Sequence, residues 1–275
     1  MAKQPHNVHE LMLALTRVSG GNLKAVEYRD IIAAIVVAQM IPEGCVVKGG
    51  SSLRMRLGPG KSRVTEDVDM AMKISPEIFD KVMSERLRVG WCDFTGELLV
   101  GEKREIKGVE PEYVMQPFVV KLSYRHQPLC KVKVEVSHNE LGDAEEIEMC
   151  ELPPRIAQIF ADLNLPLPKA IPLMTIPFQI AQKLHGLTEP NSKRARDLVD
   201  LQLIAKTEEI DWSLTAAVCR RLFTYRKRHA WPPAVVEHDG WQEMYDLAAS
   251  GLDNVLPLSE AIGWGNDLIG RLNRL

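Results

Sequence analysis

Two aspartates separated by one residue have the spacing in this sequence best suited to chemistry. Asp67 and Asp69 flank Val68 within Val64–Ile74, where polar and apolar residues alternate as in a β-strand. The two carboxylates are therefore expected on one face of the strand, about 6–7 Å apart. Carboxylates this close repel each other, and a hard divalent cation such as Mg²⁺ or Mn²⁺ offsets the repulsion. The alternative is a pair of solvated carboxylates on an exposed strand face.

A third acid and a glycine-rich turn extend this pattern. Glu135 lies among the valines of Val132–Val136, either on the exposed face of a strand or in a site. Gly49–Ser52 follows the apolar strand Cys45–Lys48 and precedes a predicted helix over Ser52–Leu57. Backbone N–H groups at such a turn can bind phosphate oxygens, and glycine permits close approach.

Combined, these groups suit phosphoryl-type transfer with two metal ions. The glycine turn would hold a triphosphate, and Asp67 and Asp69 would bind the metal ion that bridges its phosphates. Glu135 would bind a second metal ion or activate the attacking hydroxyl.

The surrounding elements must position these groups. Apolar spacing predicts helices over residues 8–18 and 24–40, and Ser75 followed by Pro76 predicts a helix start. From Trp91 to Glu151 the pattern is typical of consecutive strands. Other predicted features are the strands Phe118–His126 and Leu129–His138, their turn at Gln127-Pro128, connectors at Pro153-Pro154 and Leu165–Pro172, and helices over 178–187, 193–207, 212–228, 241–250 and 258–275.

This order predicts an α+β protein with two domains. Residues 1–170 would form a mixed sheet with flanking helices, and residues 171–275 a helical bundle that completes the active-site cleft. The composition is that of a globular protein, with 275 residues, 45% hydrophobic, 26% charged and a net charge of -3. It excludes a disordered chain, a collagen, a coiled coil and a strongly basic, histone-like binder.

The sequence also bears on compartment and cysteine chemistry. The longest apolar run is far shorter than the ~20 residues of a membrane span, and the first residues lack the apolar core of a signal peptide. We therefore expect a cytoplasmic protein with no membrane partner. The five cysteines are scattered and include no Cys-x-x-Cys, so they indicate neither a disulfide framework nor a zinc site.

Three segments together resemble the DNA polymerase β-type nucleotidyltransferase superfamily: Lys48–Leu53, Arg63–Asp69 and Val134–Val136. The arginine, hydroxyl and acidic residues just before the Asp-x-Asp pair resemble the AbiEii/AbiGii toxin family, which includes the MenT-type nucleotidyltransferase toxins. Phe178–Leu187 and Lys193–Leu201 are similar to the K-L-x-A-L and R-x-x-D-L-x-D-L elements of that family. The gap between the glycine turn and Asp67 is longer here than in the compact form of the superfamily.

The resemblance implies a Mg²⁺-dependent (or Mn²⁺-dependent) nucleotidyltransferase toxin of a toxin–antitoxin system. Such an enzyme would transfer a nucleoside monophosphate from a nucleoside triphosphate to the 3′ end of tRNA and so block aminoacylation. It implies a cognate antitoxin, and we expect the chain to be a monomer. Catalytic roles fall on Asp67, Asp69, Glu135, Lys183 and Asp197, metal binding on the first three of these, and nucleotide binding on Gly49, Gly50, Ser51, Ser52, Arg63, Thr65 and Asp200.

The later residues also have simpler explanations. Lys183 would lie on the exposed side of an amphipathic helix, and Asp197 and Asp200 would form surface ion pairs with neighbouring arginines. In the family one acid of this element belongs to the active site, with Asp197 the first choice and Asp200 the second.

A basic cluster near the end of the predicted helix 212–228 could bind an RNA backbone, with aromatic side chains available for stacking on bases. The alternative is a solvated helix end. The cluster consists of Arg220, Arg221, Arg226, Lys227 and Arg228.

Two other functions remain open from the sequence. The acceptor could be a protein or a small molecule, since the basic cluster favours RNA only weakly. The chain could also be a non-catalytic nucleotide- or RNA-binding regulator, although such a protein would not need the acids together with Lys183.

Thr65 precedes Asp67 by two residues on the same predicted strand face, so its hydroxyl is expected beside the phosphates and metal. Thr65→Glu, or a phosphate on Thr65, would put negative charge where the triphosphate binds. We expect the substitution to block nucleotide binding in a titration with nucleoside triphosphate. Unaltered triphosphate affinity in this variant would refute the placement.

Overall fold

The computed structural model describes residues 4–103 and 114–275, without the side chain of residue 23. The chain divides into two compact units. The first, the sheet unit, comprises the described residues of Met1–Pro59 and Thr65–Leu173, and the second, the helical unit, comprises Gly60–Val64 and Met174–Leu275. The sequence patterns did not indicate that Gly60–Val64, shortly before the Asp-x-Asp strand, would belong with the C-terminal helices.

Among the described residues, seven strands form one mixed sheet in the order β3-β4-β5-β2-β1-β7-β6. β2 pairs with β5 in parallel and with β1 in antiparallel fashion, β1 pairs with β7 in parallel, and β3, β4 and β5 form an antiparallel meander. The predicted mixed sheet of an α+β protein is confirmed. The strands are β1 Cys45–Lys48, β2 Asp67–Met72, β3 Phe94–Val100, β4 Gln116–Tyr124, β5 Gln127–His138, β6 Ile147–Cys150 and β7 Ile171–Met174.

The helices follow the predicted positions closely, and all five predicted after residue 176 are present. Ser75 caps α4 as predicted, since its Oγ accepts a hydrogen bond from the N–H of Ile78 at 3.4 Å. The helices are α1 Val8–Ser19, α2 Asn22–Ala38, α3 Gly49–Leu57, α4 Pro76–Val89, α5 Pro154–Asp162, α6 Ile176–Leu187, α7 Ala195–Thr207, α8 Trp212–Arg226, α9 Trp241–Ala249 and α10 Leu258–Asn273. In the part of the chain that the structure describes, no helix is both long and apolar enough to cross a bilayer.

Alternation along β2 and β5 separates a core face from a polar face. Val68 and Met70 on β2 and Val134 and Val136 on β5 are buried in the hydrophobic core of the sheet unit. Burial of each such side chain contributes about 1.5–3 kcal/mol. A slip of one residue would move all of these side chains out of the core, so their burial specifies the register. The same register directs the acids of both strands to the opposite face.

The hairpin between β4 and β5 turns two residues earlier than predicted. Arg125 and His126 form the turn, with φ of 46° and 63°, and Gln127 and Pro128 already belong to β5. Positive φ at both positions is the pattern of the type I′ hairpin turn, whose twist matches that of the strands. The pyrrolidine ring of proline fixes φ near about −65°, so Pro128 could not have occupied the turn.

Regular elements begin within both predicted connectors. Pro154 occupies the first turn of α5, where its missing N–H costs no hydrogen bond. β7 begins at Ile171 and pairs with β1 at Val47↔Leu173. Both Ile171 and Leu173 are fully buried, so burial within the sheet outweighed the local proline signals.

Candidate active site

The glycine turn is the first turn of a helix. α3 begins at Gly49, directly after β1, and not at Ser52 as predicted. Lys48 is its N-cap residue but makes no side-chain capping hydrogen bond. The first N–H groups of a helix have no partner within the helix and carry partial positive charge, so this end of α3 is suited to bind an anion.

Gly49 lies against the carboxylate of Asp69. A Cβ atom built on Gly49 would overlap Asp69 Oδ2, and Gly49 has φ +66°. Glycine is needed here both for the backbone conformation and for the close approach of the acid. The hydroxyl of Ser51 donates to the carbonyl oxygen of Asp67, which ties the first turn of α3 to β2.

The acids of β2 and β5 are brought together by strand register. Asp69 pairs with Glu135 across the parallel β2–β5 ladder and with Lys48 across the antiparallel β1–β2 ladder. Residues in register project from the same face, and neighbouring strands lie about 4.7–4.9 Å apart. Asp67 lies two residues along on the same face, opposite Lys133. The side chains of Asp69 and Glu135 are thus neighbours, and their catalytic roles stay a prediction.

These residues have the donor chemistry of a magnesium site. Asp67 Oδ1 is buried without a hydrogen-bond partner and lies 3.9 Å from Lys133 Nζ. Among residues 4–103 and 114–275, no group of three or more His, Cys, Asp or Glu side chains is arranged to hold a metal ion by itself. Mg²⁺ in nucleotide enzymes commonly takes one or two carboxylates, with phosphates and waters as the other ligands. Asp67 and Asp69 fit that smaller set.

Thr65 lies next to the acids but outside β2. It is half-buried, and its Oγ1 donates to the carbonyl oxygen of Asp67 at 3.4 Å. Sequence reasoning missed the residue that holds this stretch, the buried Arg54. Its guanidinium donates to the carbonyl oxygen of Thr65 at 3.3 Å and lies 3.6 Å from the carboxylate of Glu27.

In the helical unit, Lys183 lies at the centre of a buried ion network. Its Nζ is 2.6 Å from Asp200 Oδ2 and 3.3 Å from Asp197 Oδ1. The Lys183 side chain is only 4% exposed, and those of Asp197 and Asp200 are 1% and 0% exposed. The explanations of Lys183 as an exposed lysine and of the aspartates as surface ion pairs are therefore wrong.

Two arginines complete the network. Arg63 donates to both carboxylate oxygens of Asp200, at 2.9 and 3.0 Å, and Arg194 Nε lies 2.5 Å from Asp197 Oδ2. Three cations face two carboxylates, so these five side chains carry a net charge of +1. Burial alone would raise the pKa of Asp197, but Arg194 and Lys183 outweigh it and hold that pKa below its ordinary value. This stabilisation is present above the unfolded-state pKa of about 4 and is lost as the pH falls further.

The basic cluster is largely engaged in contacts within the helical unit. Arg220 donates to the carbonyl oxygens of Leu272 and Asn273, at 3.4 and 3.3 Å, and Arg228 pairs with Glu189 at 3.2 Å. These contacts match the solvated helix end better than an open cationic face.

Arg226 contacts a buried histidine. Its guanidinium lies 3.3 Å from Nδ1 of His185. Burial, followed by the charge of Arg226 and its neighbours, lowers the pKa of His185 to about 3. His185 is therefore neutral at pH 7 and accepts from Arg226. RNA binding by Arg220, Arg221, Arg226, Lys227 and Arg228 stays a prediction.

Comparison with known proteins places these features in context. The family model described as "Nucleotidyl transferase AbiEii toxin, Type IV TA system" matches residues 31–265. No curated protein sequence matches the chain.

The chain is also similar to several solved structures. MenT4, a nucleotidyltransferase toxin from Mycobacterium tuberculosis H37Rv, superposes with a TM-score of 0.60 at 19% identity, covering 96% of this chain and 90% of that chain. A Helicobacter pylori protein described as a nucleotidyltransferase gives a TM-score of 0.49 at 17% identity, covering 90% and 94% of the two chains. JHP933 from Helicobacter pylori gives 0.44 at 16% identity, covering 90% and 91%. The similarity to MenT4 shows a shared fold.

Gly49→Ala tests the contact between α3 and β2. The new methyl group would overlap Asp69 and sit at positive φ, so we expect a loss of about 1–3 kcal/mol in the free energy of unfolding and weaker triphosphate binding. Denaturant unfolding and a binding titration measure the two effects. Gly263→Ala on α10 is the matched control, because nothing lies within 4 Å of its added Cβ. Equal stability of the two variants would contradict the close contact.

Lys183→Met tests the buried network. It leaves two buried carboxylates with less counter-charge, so we expect a loss of about 3–5 kcal/mol in the free energy of unfolding. Lys121→Met removes the lysine of an exposed pair with Glu97 and should cost under about 1 kcal/mol. Denaturant unfolding of both variants measures the difference. Lys183→Met as stable as Lys121→Met would show that the network contributes little.

Proposed function

The chain belongs to the AbiEii nucleotidyltransferase toxin family of type IV toxin–antitoxin systems, and on this premise we propose that it transfers a nucleoside monophosphate from a nucleoside triphosphate to the 3′ end of tRNA. A nucleotide added there would block aminoacylation. One observation carries the proposal at the level of the site: Asp69 and Glu135 lie side by side, with the Asp69 carboxylate against Gly49 at the N-terminus of α3. An anion binder and metal-binding carboxylates thus meet within one unit.

Each group in the sheet unit then has a task. The N–H groups of Gly49–Ser52 bind the triphosphate, as helix N-termini bind phosphates. Asp67 and Asp69 would hold Mg²⁺ or Mn²⁺, which when bound offsets charge on the phosphates. The acceptor hydroxyl oxygen forms a bond to the α-phosphorus while the bond from that phosphorus to the bridging oxygen breaks. Glu135 takes the hydroxyl proton at a carboxylate oxygen, and pyrophosphate leaves.

In this proposal the buried network also binds the nucleotide. Lys183 would act at the nucleotide phosphates, with Arg63 and Asp200 as nucleotide-binding residues and Asp197 as the preferred active-site acid. What supports this is the family resemblance together with the net positive charge of the buried network. The part of the helical unit in completing the cleft stays a prediction.

Partners follow from the family. A type IV toxin implies an antitoxin partner. Action on tRNA would place the protein in the cytoplasm, and we propose that it is a monomer. A protein or small-molecule acceptor is the alternative within the same chemistry. A purely regulatory binding protein is disfavoured, because the family shown is one of nucleotidyltransferases.

The test is incorporation of label into purified tRNA. The protein is incubated with tRNA, Mg²⁺ and each nucleoside triphosphate in turn, labelled at the α-phosphate or at the γ-phosphate. Transfer of a nucleoside monophosphate places only the α-label in tRNA. We expect Asp69→Asn to lower the rate by about 10²-fold or more, because it removes a metal ligand that acts on the transferring phosphate. Asp162→Asn, which exchanges a carboxylate that accepts from Gln158, is the matched control.

Three results would contradict the proposal in different ways. Label in added protein would show another acceptor, and γ-label in tRNA would show phosphoryl transfer. Full activity of Asp69→Asn would show that the chemistry lies elsewhere.

A further inference from the structure

Lys48 stands in the same row as the acids. It is the last residue of β1, directly before Gly49, and it is half-buried. Its register partner on β2 is Asp69, whose partner on β5 is Glu135. The three side chains therefore project from one face of three adjacent strands, with the cation at one end of the row. No role follows for Lys48 from the resemblance or from the proposed chemistry.

The Lys48 side chain crosses the middle strand. Its Nζ donates to Ser137 Oγ at 2.7 Å, and Ser137 lies on β5, so the lysine stem passes over β2. Ser137 is in register with Ala71, which lies on the same face as Asp67 and Asp69. The small methyl group of Ala71 leaves room for the crossing. The ammonium consequently lies at Ser137, two residues along β5 from Glu135 and on the face of the sheet that holds Asp69 and Glu135.

The acceptor at the end of this path is fixed in orientation. Ser137 Oγ donates its own hydrogen to the carbonyl oxygen of Met70 at 3.3 Å, so an oxygen lone pair remains for Lys48. An ammonium held by an oriented acceptor is confined to one place instead of sampling solvent. Lys133 also approaches the acids, at 3.9 Å from Asp67, but its side chain is 61% exposed and bonds to the exposed Glu66 at 3.2 Å.

A nearby positive charge would offset the repulsion among the three acids. Asp67, Asp69 and Glu135 place three negative charges on one small patch, and like charges on adjacent strands destabilise a sheet. A divalent ion offsets the repulsion only when it is bound. A covalently attached ammonium within the row offsets it at all times.

We propose that Lys48 is a positioning residue whose ammonium is the resident counter-charge of the acid row, keeping Asp69 and Glu135 adjacent until a divalent ion replaces it. The assignment of the acids to a metal rests on the proposed function, whereas the charge balance does not. Two consequences follow. Without metal, loss of Lys48 leaves the acids in mutual repulsion, and with metal, the same loss removes a competitor for the carboxylates.

The first experiment measures thermal unfolding of the full chain in EDTA. Lys48→Met is expected to lower the midpoint by about 3–6 °C, and Lys121→Met, which breaks a pair elsewhere in the sheet, by less than about 2 °C. Adding Glu135→Gln should raise the midpoint of Lys48→Met more than that of the wild type, because loss of Lys48 leaves more negative charge unbalanced. A loss of packing alone would give additive effects. Asp69→Asn repeats the cycle should Glu135→Gln fail to fold.

The second experiment titrates Mn²⁺ alone and follows free Mn²⁺ by electron paramagnetic resonance. Lys48→Met should bind Mn²⁺ several-fold more tightly than the wild type, and Asp69→Asn should abolish binding in both backgrounds. A merely structural lysine would leave the Mn²⁺ affinity unchanged or weaker.

The outcomes separate the inference from the proposed function. Additive midpoint shifts in EDTA, or equal Mn²⁺ affinity of Lys48→Met and wild type, would overturn the role of Lys48. If the midpoint shifts in EDTA are non-additive but the wild type binds no Mn²⁺, the role of Lys48 is supported and the metal assignment is overturned.

Discussion

Parallel pairing of β2 with β5 is the constraint on which the candidate site depends. It sets Asp69 opposite Glu135, while burial of Val68 and Val134 one residue earlier on each strand prevents a slip. The core thus enforces the proximity of two like charges, which their mutual repulsion opposes. Gly49 completes the arrangement, because only a residue without Cβ lets the Asp69 carboxylate reach the first turn of α3.

In the helical unit, ion pairs stabilise the buried charges. Asp197 and Asp200 are as buried as core leucines, and each is bonded by Lys183 and one arginine. Removing a buried carboxylate from water is tolerable only with such partners. Arg63 comes from Gly60–Val64, so this segment, which Thr65 and Glu66 separate from β2, is held by the helices and not by the sheet. The arginine that precedes the Asp-x-Asp pair in the sequence is thereby engaged with an acid far along the chain.

Local patterns predicted the elements well where local energetics decided them. Ser75 caps α4, and the alternation in Val132–Val136 marks one buried and one polar face. The patterns were misleading where long-range contacts decided. Prolines indicated connectors, yet the segment from Ile171 is a strand beside β1, because burial of the apolar side chains of Ile171 and Leu173 stabilises it there. Nor could spacing show that Lys183 is buried, since an amphipathic helix places lysine on either side until its partners are known.

The sequence by itself determined which residue types were available: three acids on short strands, a glycine pair after a strand, and motifs specific enough to indicate a nucleotidyltransferase toxin family. These are properties of spacing and chemical type, which are contained in the sequence alone. Only the tertiary structure decided which strands are neighbours, and therefore that Asp69 adjoins Glu135 and that Lys48 reaches across β2 to Ser137. Strand order is set by the burial of apolar faces distant in the chain, and no local pattern encodes it.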